Sequence, residues 1–203
     1  FFGPDTYRFT GAIVRHLTGD IRVGRAVDIG SGAGPGAVVV ALAQPHAEVF
    51  AVDINDRALR FTTVNAKHAG AGRIRVCRSD LLDGVDGNFD LIVANPPYLL
   101  DSQERTYRHG GGSHGEGLSL AIAALANDRL MPGGTLLLYT GTAIVNGTDH
   151  FRARLGPLLD TATLDWHYQE LDPDVFGEEL AEPAYAHADR IAAVLLTIRR
   201  TSS

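Results

Sequence analysis

The sequence predicts an α/β fold built on a doubly wound, mostly parallel sheet, and three observations predict it. Short apolar runs alternate with longer amphipathic stretches along the chain, which is the pattern of successive βαβ units. A glycine-rich segment, Gly30-Ser31-Gly32-Ala33-Gly34-Pro35-Gly36, joins the first apolar run to a helical stretch. Later apolar runs end in Asp53, Asp80 and Asn95. In an open α/β sheet, ligands bind in the crevice outside the C-terminal strand ends, where these side chains would lie.

Taken in order, residues 6–17 form a lead-in helix pattern, and Ala26-Val27-Asp28-Ile29 is a short strand. Residues 35–43 are a helix with proline in the first turn, where a missing N–H costs nothing. Residues 49–52 are the second strand. The helix over 55–69 has Asn55 as its cap and Ala58, Leu59, Thr62 and Ala66 on related faces. Residues 74–77 and 89–94 are the third and fourth strands. A helix over 118–130 stops at Met131-Pro132-Gly133-Gly134, and 135–139 is the fifth strand. Residues 150–159 are a helix, and 163–168 and 192–198 are the last two strands. No repeat or linker divides the chain, so one domain over residues 1–203 is expected. The chain begins at Phe1 rather than methionine, which raises an upstream segment as an expectation.

Two irregular stretches, 99–117 and 171–189, are long for a compact domain, and such loops tend to be functional. The first carries five glycines after Arg108, which leave little to bury, so mobility is expected there without substrate. The second carries Asp172, Asp174, Glu178, Glu179, Glu182 and Asp189 and no Lys or Arg. It reads either as a solvated acidic loop or as an acidic lid over a pocket. Both would repel a nucleic-acid backbone.

The 203 residues, 45% of them hydrophobic and 21% charged, suffice for one full core. No apolar run approaches the ~20 residues that span a bilayer, and no signal peptide is visible. No membrane partner and a cytoplasmic location are therefore expected. Cys77 is the only cysteine, which excludes an internal disulfide and cysteine-based zinc sites. A net charge of −6 argues against a surface dominated by phosphate binding. His109 and His114 bracket the glycine segment without obvious ligand partners, and no metal is expected.

Asn95-Pro96-Pro97-Tyr98 directly follows the apolar run Phe89–Ala94. Two prolines lack N–H donors, so they end the strand and stiffen the turn beyond it. An Asn amide oxygen and a proline-flanked carbonyl are both acceptors, suited to the two hydrogens of a planar NH2 group. In the glycine segment, positive φ and missing Cβ atoms let a ligand approach the backbone and the helix N–H groups beyond it. Asp53 can accept from ribose hydroxyls, and Asp80, after Ser79, from an adenine amino group. A nicotinamide cofactor is the rival, since Gly32 to Ala37 can be laid on Gly-x-Gly-x-x-Ala. The series led by Asp28 fits Asp-x-Gly-x-Gly-x-Gly better.

That series resembles the S-adenosylmethionine loop of class I methyltransferases, and Asn95–Tyr98 resembles the signature loop of those that modify amide or exocyclic amino nitrogens. Pro4-Asp5-Thr6 looks like the segment preceding the core in their small-domain family. This family includes glutamine methyltransferases of release factors and a ribosomal protein, and also RNA adenine or guanine methyltransferases. Gly111-Gly112-Ser113-His114-Gly115, with Leu118 beyond, resembles the Gly-Gly-x-x-Gly segment of the glutamine enzymes. It lacks the acid often found after the paired glycines, and only Arg105 and Arg108 remain of an Arg-rich lead.

The resemblance implies a Rossmann-like, seven-stranded sheet with a final antiparallel strand. It implies S-adenosylmethionine held by Asp28, Gly30, Ser31, Gly32, Gly34, Asp53, Ile54, Asp80, Leu81 and Asn95. Asp28 would support the loop or meet the amino-acid end of the cofactor. The catalytic group implied is Asn95, Pro96, Pro97 and Tyr98. Asn95 and the Pro96 carbonyl would accept the substrate N–H bonds, and Tyr98 would pack on the planar group. The implied reaction is N-methylation of a protein glutamine amide. The alternatives are a base amino group in RNA or DNA, or a small molecule, and outside these a non-catalytic cofactor-binding module. The sequence leaves the oligomeric state open.

Overall fold

In the computed structural model, which describes residues 3–100 and 109–202, each central strand divides its side chains between two cores. In β1 (Arg25–Ile29), β2 (Glu48–Asp53) and β4 (Phe89–Ala94), one alternate set holds Ala26, Val49, Ala51, Leu91 and Val93. These pack with Phe9 and Ile13 of α1 (Pro4–His16), Val40 of α2 (Pro35–Ala43) and Ala66 of α3 (Asp56–His68). The other set holds Val27, Ile29, Phe50, Val52 and Ile92. It shares a core with Ile122 of α4 (Gly117–Ala124), Ala126 of α5 (Ala126–Arg129) and Phe151 of α6 (His150–Leu158). Strands apolar on both faces are what a sheet covered by helices on both sides requires.

With β3 (Arg75–Arg78), β5 (Leu130–Val145), β7 (Leu164–Asp172) and β8 (Arg190–Arg200), the order is β3-β2-β1-β4-β5-β8-β7. The first five are parallel, and β8 runs antiparallel between β5 and β7. The chain leaves β1 toward β2 and β3, then crosses back to β4. That switch point opens a crevice at the C-terminal ends of β1 and β4. Among the described residues, no helix is long and apolar enough to cross a membrane.

The structure departs from expectation in several places. An eighth strand, β6 (Thr148–Asp149), pairs with β5 across Asn146-Gly147, both at positive φ, as a two-residue hairpin demands. The helix expected over 118–130 is two pieces broken at Leu125. β5 begins at Leu130 and absorbs Pro132-Gly133-Gly134 in a register shift against β4. β5 also continues past Tyr139 through Gly141. β7 and β8 outrun their apolar centres because main-chain pairing extends into polar residues. The stretch 171–189 is less irregular than expected, although Asp174, Glu178, Glu182 and Asp189 are exposed. β7 runs into it, tight 3-10 turns form at Gly177–Ala181 and Pro183–Tyr185, and Val175, Glu179 and Tyr185 are buried. Within 99–117, residues 101–108, including Arg105, lie outside the described residues, as does Arg108 itself. Gly110, Gly115 and Glu116 are buried, while Gly112 and Ser113 are exposed.

Candidate active site

The glycine loop is a set of left-handed turns held from behind by α3. Gly30, Gly32 and Gly34 have φ of 65°, 56° and 84°. A Cβ on Gly34 would stand 2.8 Å from Thr62 Cγ2, whereas one on Gly30 or Gly32 would meet no atom within 4 Å. The first two glycines thus face open space, and the third packs. Thr62 Oγ1 donates to Gly32 O and Asn65 Nδ2 to Ala33 O, each at 2.9 Å. Ser31 is buried, its N–H on Val52 O at 2.9 Å.

Asp28 is 1% exposed and accepts from the Ala37 N–H at 2.8 Å, beneath the start of α2. A Cβ on Gly36 would stand 2.7 Å from its Oδ2, so Gly36 is what lets the carboxylate approach. Burial pushes the Asp28 carboxyl up to about 7, against the Ala37 hydrogen bond and with help from Asp53. Asp28 is therefore placed to support the loop from below. Asp53, at the end of β2, takes Gly32 N–H on one oxygen and Asn55 N–H on the other, both at 2.9 Å.

Above the strand ends lies a cleft of about 830 Å³. Gly30, Gly32, Asp53, Ile54, Asp80 and Leu81 line one end, and Asn95, Pro96, Pro97 and Tyr98 another wall. Leu81 is held at φ 46°, a left-handed conformation costly for a non-glycine residue and often found at binding sites. A smaller hollow adjoins it, bordered by Asp28, Ser31, Gly32 and Thr6. Asn95 lines both spaces. Gly34 lines neither and faces Thr62 instead. Gly3 to Thr6 and Arg8 of the α1 region close one side of the cleft. Asp172, Asp174, Phe176 and Glu178 form its roof.

Tyr98 is only 7% exposed. Its hydroxyl donates to Asp5 Oδ2 at 2.6 Å, and its ring meets Phe176 edge-on with centroids 6.0 Å apart. The ring occupies the space where Gly141 has no side chain. The tetrapeptide's backbone is packed just as closely. A Cβ on Gly110 would clash with Gly115 O and with Pro97 O, and one on Gly115 would clash with Tyr98 O. Glu116 is buried, accepts from His114 N–H at 2.8 Å and pairs with Arg154 at 2.9 Å. Burial alone would raise its pKa. Its own backbone N–H, that of His114 and the Arg154 guanidinium outweigh this and lower it. His114 stacks on His150 with centroids 4.7 Å apart. Among the described residues no His, Cys, Asp or Glu group could hold a metal ion.

A family model described as methyltransferase small domain matches residues 8–145. The chain belongs to the methyltransferase small domain family. Release factor glutamine methyltransferase of Deinococcus radiodurans is 33% identical over 167 residues, covering 76% of this chain and 55% of that protein. Ribosomal protein uL3 glutamine methyltransferase of Neisseria meningitidis is 34% identical over 133 residues, covering 60% of this chain and 44% of its own length. The chain thus spans about half the length of these curated relatives. The crystal structure of TrmN from Thermus thermophilus matches with a TM-score of 0.63 at 21% identity, over 94% of this chain and 48% of that one, a likeness of fold.

Membership of the methyltransferase small domain family displaces the nicotinamide reading of Gly32–Ala37. Several residues of this methyltransferase-type cleft escape a sequence reading. Thr62 and Asn65 look like ordinary helix positions, and Phe176 carries no local signal. Gly141 has one, because an isolated glycine inside an apolar strand marks a close approach.

Proposed function

We propose that the chain transfers a methyl group from S-adenosylmethionine to a planar NH2 group, the side-chain amide of a protein glutamine. The observation that carries this reading is the position of Asn95. It borders both the cleft of the glycine loop and the smaller hollow, and it leads a tetrapeptide whose backbone is clamped by glycines.

The residues fit the cofactor. A cleft of about 830 Å³ falls in the range usual for small-molecule sites, and Gly30 and Gly32 leave open space against it. Each Asp53 oxygen accepts one backbone N–H and keeps a further acceptor site for a ribose hydroxyl. Asp80 is exposed at the end of β3 for the adenine amino group, and Ile54 and Leu81 supply apolar walls. When bound, S-adenosylmethionine supplies a methyl on a sulfonium, whose sulfur takes the C–S electron pair and leaves neutral.

The amide nitrogen is a poor nucleophile because its lone pair is delocalised. Asn95 Oδ1 and the Pro96 carbonyl accept its two N–H bonds, aim the nitrogen, and favour the positive charge that grows as the N–C bond forms. The surplus proton then leaves to water. Tyr98 serves through its ring, because its hydroxyl is engaged by Asp5. A protein acceptor is favoured over a nucleic acid because Asp172, Asp174 and Glu178 roof the cleft, where phosphates would be repelled. The two relatives' names point the same way, and a cytoplasmic location goes with such acceptors.

The test is methyl transfer from labelled S-adenosylmethionine to purified release factor and ribosomal protein uL3, with mass spectrometry of the modified residue. A cell lysate treated separately with protease and nuclease serves as the open acceptor. Label on a glutamine, lost to protease and not to nuclease, is expected. Label confined to nuclease-sensitive material would overturn the choice of acceptor.

A further inference from the structure

We propose that Asp5 is a positioning residue for methyl transfer, a single carboxylate that fixes Tyr98 and Tyr139 and, through Arg8, ties the roof of the cleft to its floor. This rests on the N-methylation reading above. Asp5 Oδ2 accepts from the Tyr98 hydroxyl at 2.6 Å, and Oδ1 from the Tyr139 hydroxyl at 2.7 Å. Arg8 Nη1 lies 3.4 Å from Oδ1, and Arg8 Nη2 pairs with Asp172 at the end of β7. Hydrogen bonds to an ionised acceptor are the stronger kind, and a carboxylate is favoured in the first turn of α1.

The three elements so joined lie in different parts of the fold. Tyr139 lies wholly buried in the central strand β5 and is a fixed anchor. Tyr98 closes the Asn95–Tyr98 tetrapeptide, so its position sets that of the Asn95 and Pro96 acceptors. Asp172 begins the roof segment that carries Phe176, whose ring rests against Tyr98. Burial first, and the Asp5 charge with it, raises the pKa of both tyrosines and keeps their hydroxyls as donors. Asp5 also borders the cleft, and the contacts through which it would position the site are its bonds to Tyr98, Tyr139 and Arg8.

The test uses Asp5→Asn, which keeps the shape, removes the charge and sets an NH2 donor against donors. With release factor or uL3 as acceptor, kcat should fall about 10- to 100-fold. Cofactor affinity by calorimetry should hold. In a Tyr98→Phe background the same change should cost only about twofold, because the pair acts as a unit. Arg8→Gln frees Asp172 while leaving both tyrosine bonds, and should raise KM more than it lowers kcat. Asp5→Glu, which keeps the charge, should recover part of the turnover and replaces Asp5→Asn if that variant does not fold.

A second readout needs no acceptor. In an alkaline titration followed by tyrosinate absorbance, Asp5→Asn should bring tyrosine ionisation to lower pH. Near-normal turnover in Asp5→Asn, losses additive with Tyr98→Phe, or an unchanged titration would each overturn the proposal. A wild-type protein silent toward every acceptor would overturn the functional reading and the catalytic role of Asp5 with it, while the titration would still show whether Asp5 holds the two tyrosines.

Discussion

Gly34 and Gly141 both shape the cleft, but they do so for different reasons. Gly34 is needed first for its own backbone, at φ 84° where the chain turns into α2, and also for room against Thr62. Gly141 lies in an extended strand, and what it provides is space, filled by the ring of Tyr98 from a distant part of the chain. The same contrast separates the two halves of the site. On the function proposed above, the cofactor half is built from adjacent βα turns and braced by Thr62 and Asn65 of α3. The acceptor half would be assembled from α1, the tetrapeptide, the glycines of 110–117, β5 and the segment after β7. A local half tolerates change elsewhere in the molecule, whereas an assembled half fails when any contributor moves.

The comparison breaks most sharply at Asn95. Asn95→Ala should lower the methyl-transfer rate by ~10²–10³ while cofactor affinity changes little. Asn95→Asp keeps an acceptor and should retain partial activity. Parallel losses of melting temperature, affinity and rate in both variants would reduce Asn95 to a turn residue.

Gly141→Ala is the next largest. The added methyl must displace the Tyr98 ring, so turnover should fall about 10²-fold from a misplaced acceptor group. Overpacking should also cost roughly 1–3 kcal/mol in stability. Calorimetry should still find cofactor bound near wild-type strength, since the glycine loop is untouched. A cofactor affinity lost along with the rate would erase the distinction between the halves.

In the cofactor half, Asp53→Ala removes a charged acceptor and should weaken S-adenosylmethionine binding by roughly 1.5–3 kcal/mol. Unchanged affinity would remove Asp53 from the site.

The last effect is a pH dependence. The Asp28 carboxyl stands at about 7 in the folded chain against an ordinary 3.8. The folded state therefore holds that proton more tightly than the unfolded chain does. Its stabilising contribution is full below pH 3.8, declines as pH rises toward about 7, and then levels off. Asp28→Asn keeps an acceptor for Ala37 and should lose this slope, so it gains on wild type between those limits. A melting-temperature difference that stays constant with pH would refute the burial account of Asp28.

The sequence alone determined the βα alternation and its order, the glycine turns, Asp53 and Asp80 at strand ends, and the proline-stiffened tetrapeptide after β4. These are legible because propensity, turn chemistry and apolar periodicity act between neighbours. The Asn146-Gly147 hairpin carries a turn signal of the same local kind, although it lies outside the elements expected from the sequence. Only the tertiary structure decided that Asp5 holds Tyr98 and Tyr139, and that Gly141, Gly110 and Gly115 are empty for other backbones and rings. It also decided that the acidic stretch after β7 lines the cleft through Asp172, Asp174 and Glu178. Each of those depends on which distant segments share a sheet edge, and no local spacing encodes that, because packing brings together residues that the chain keeps far apart.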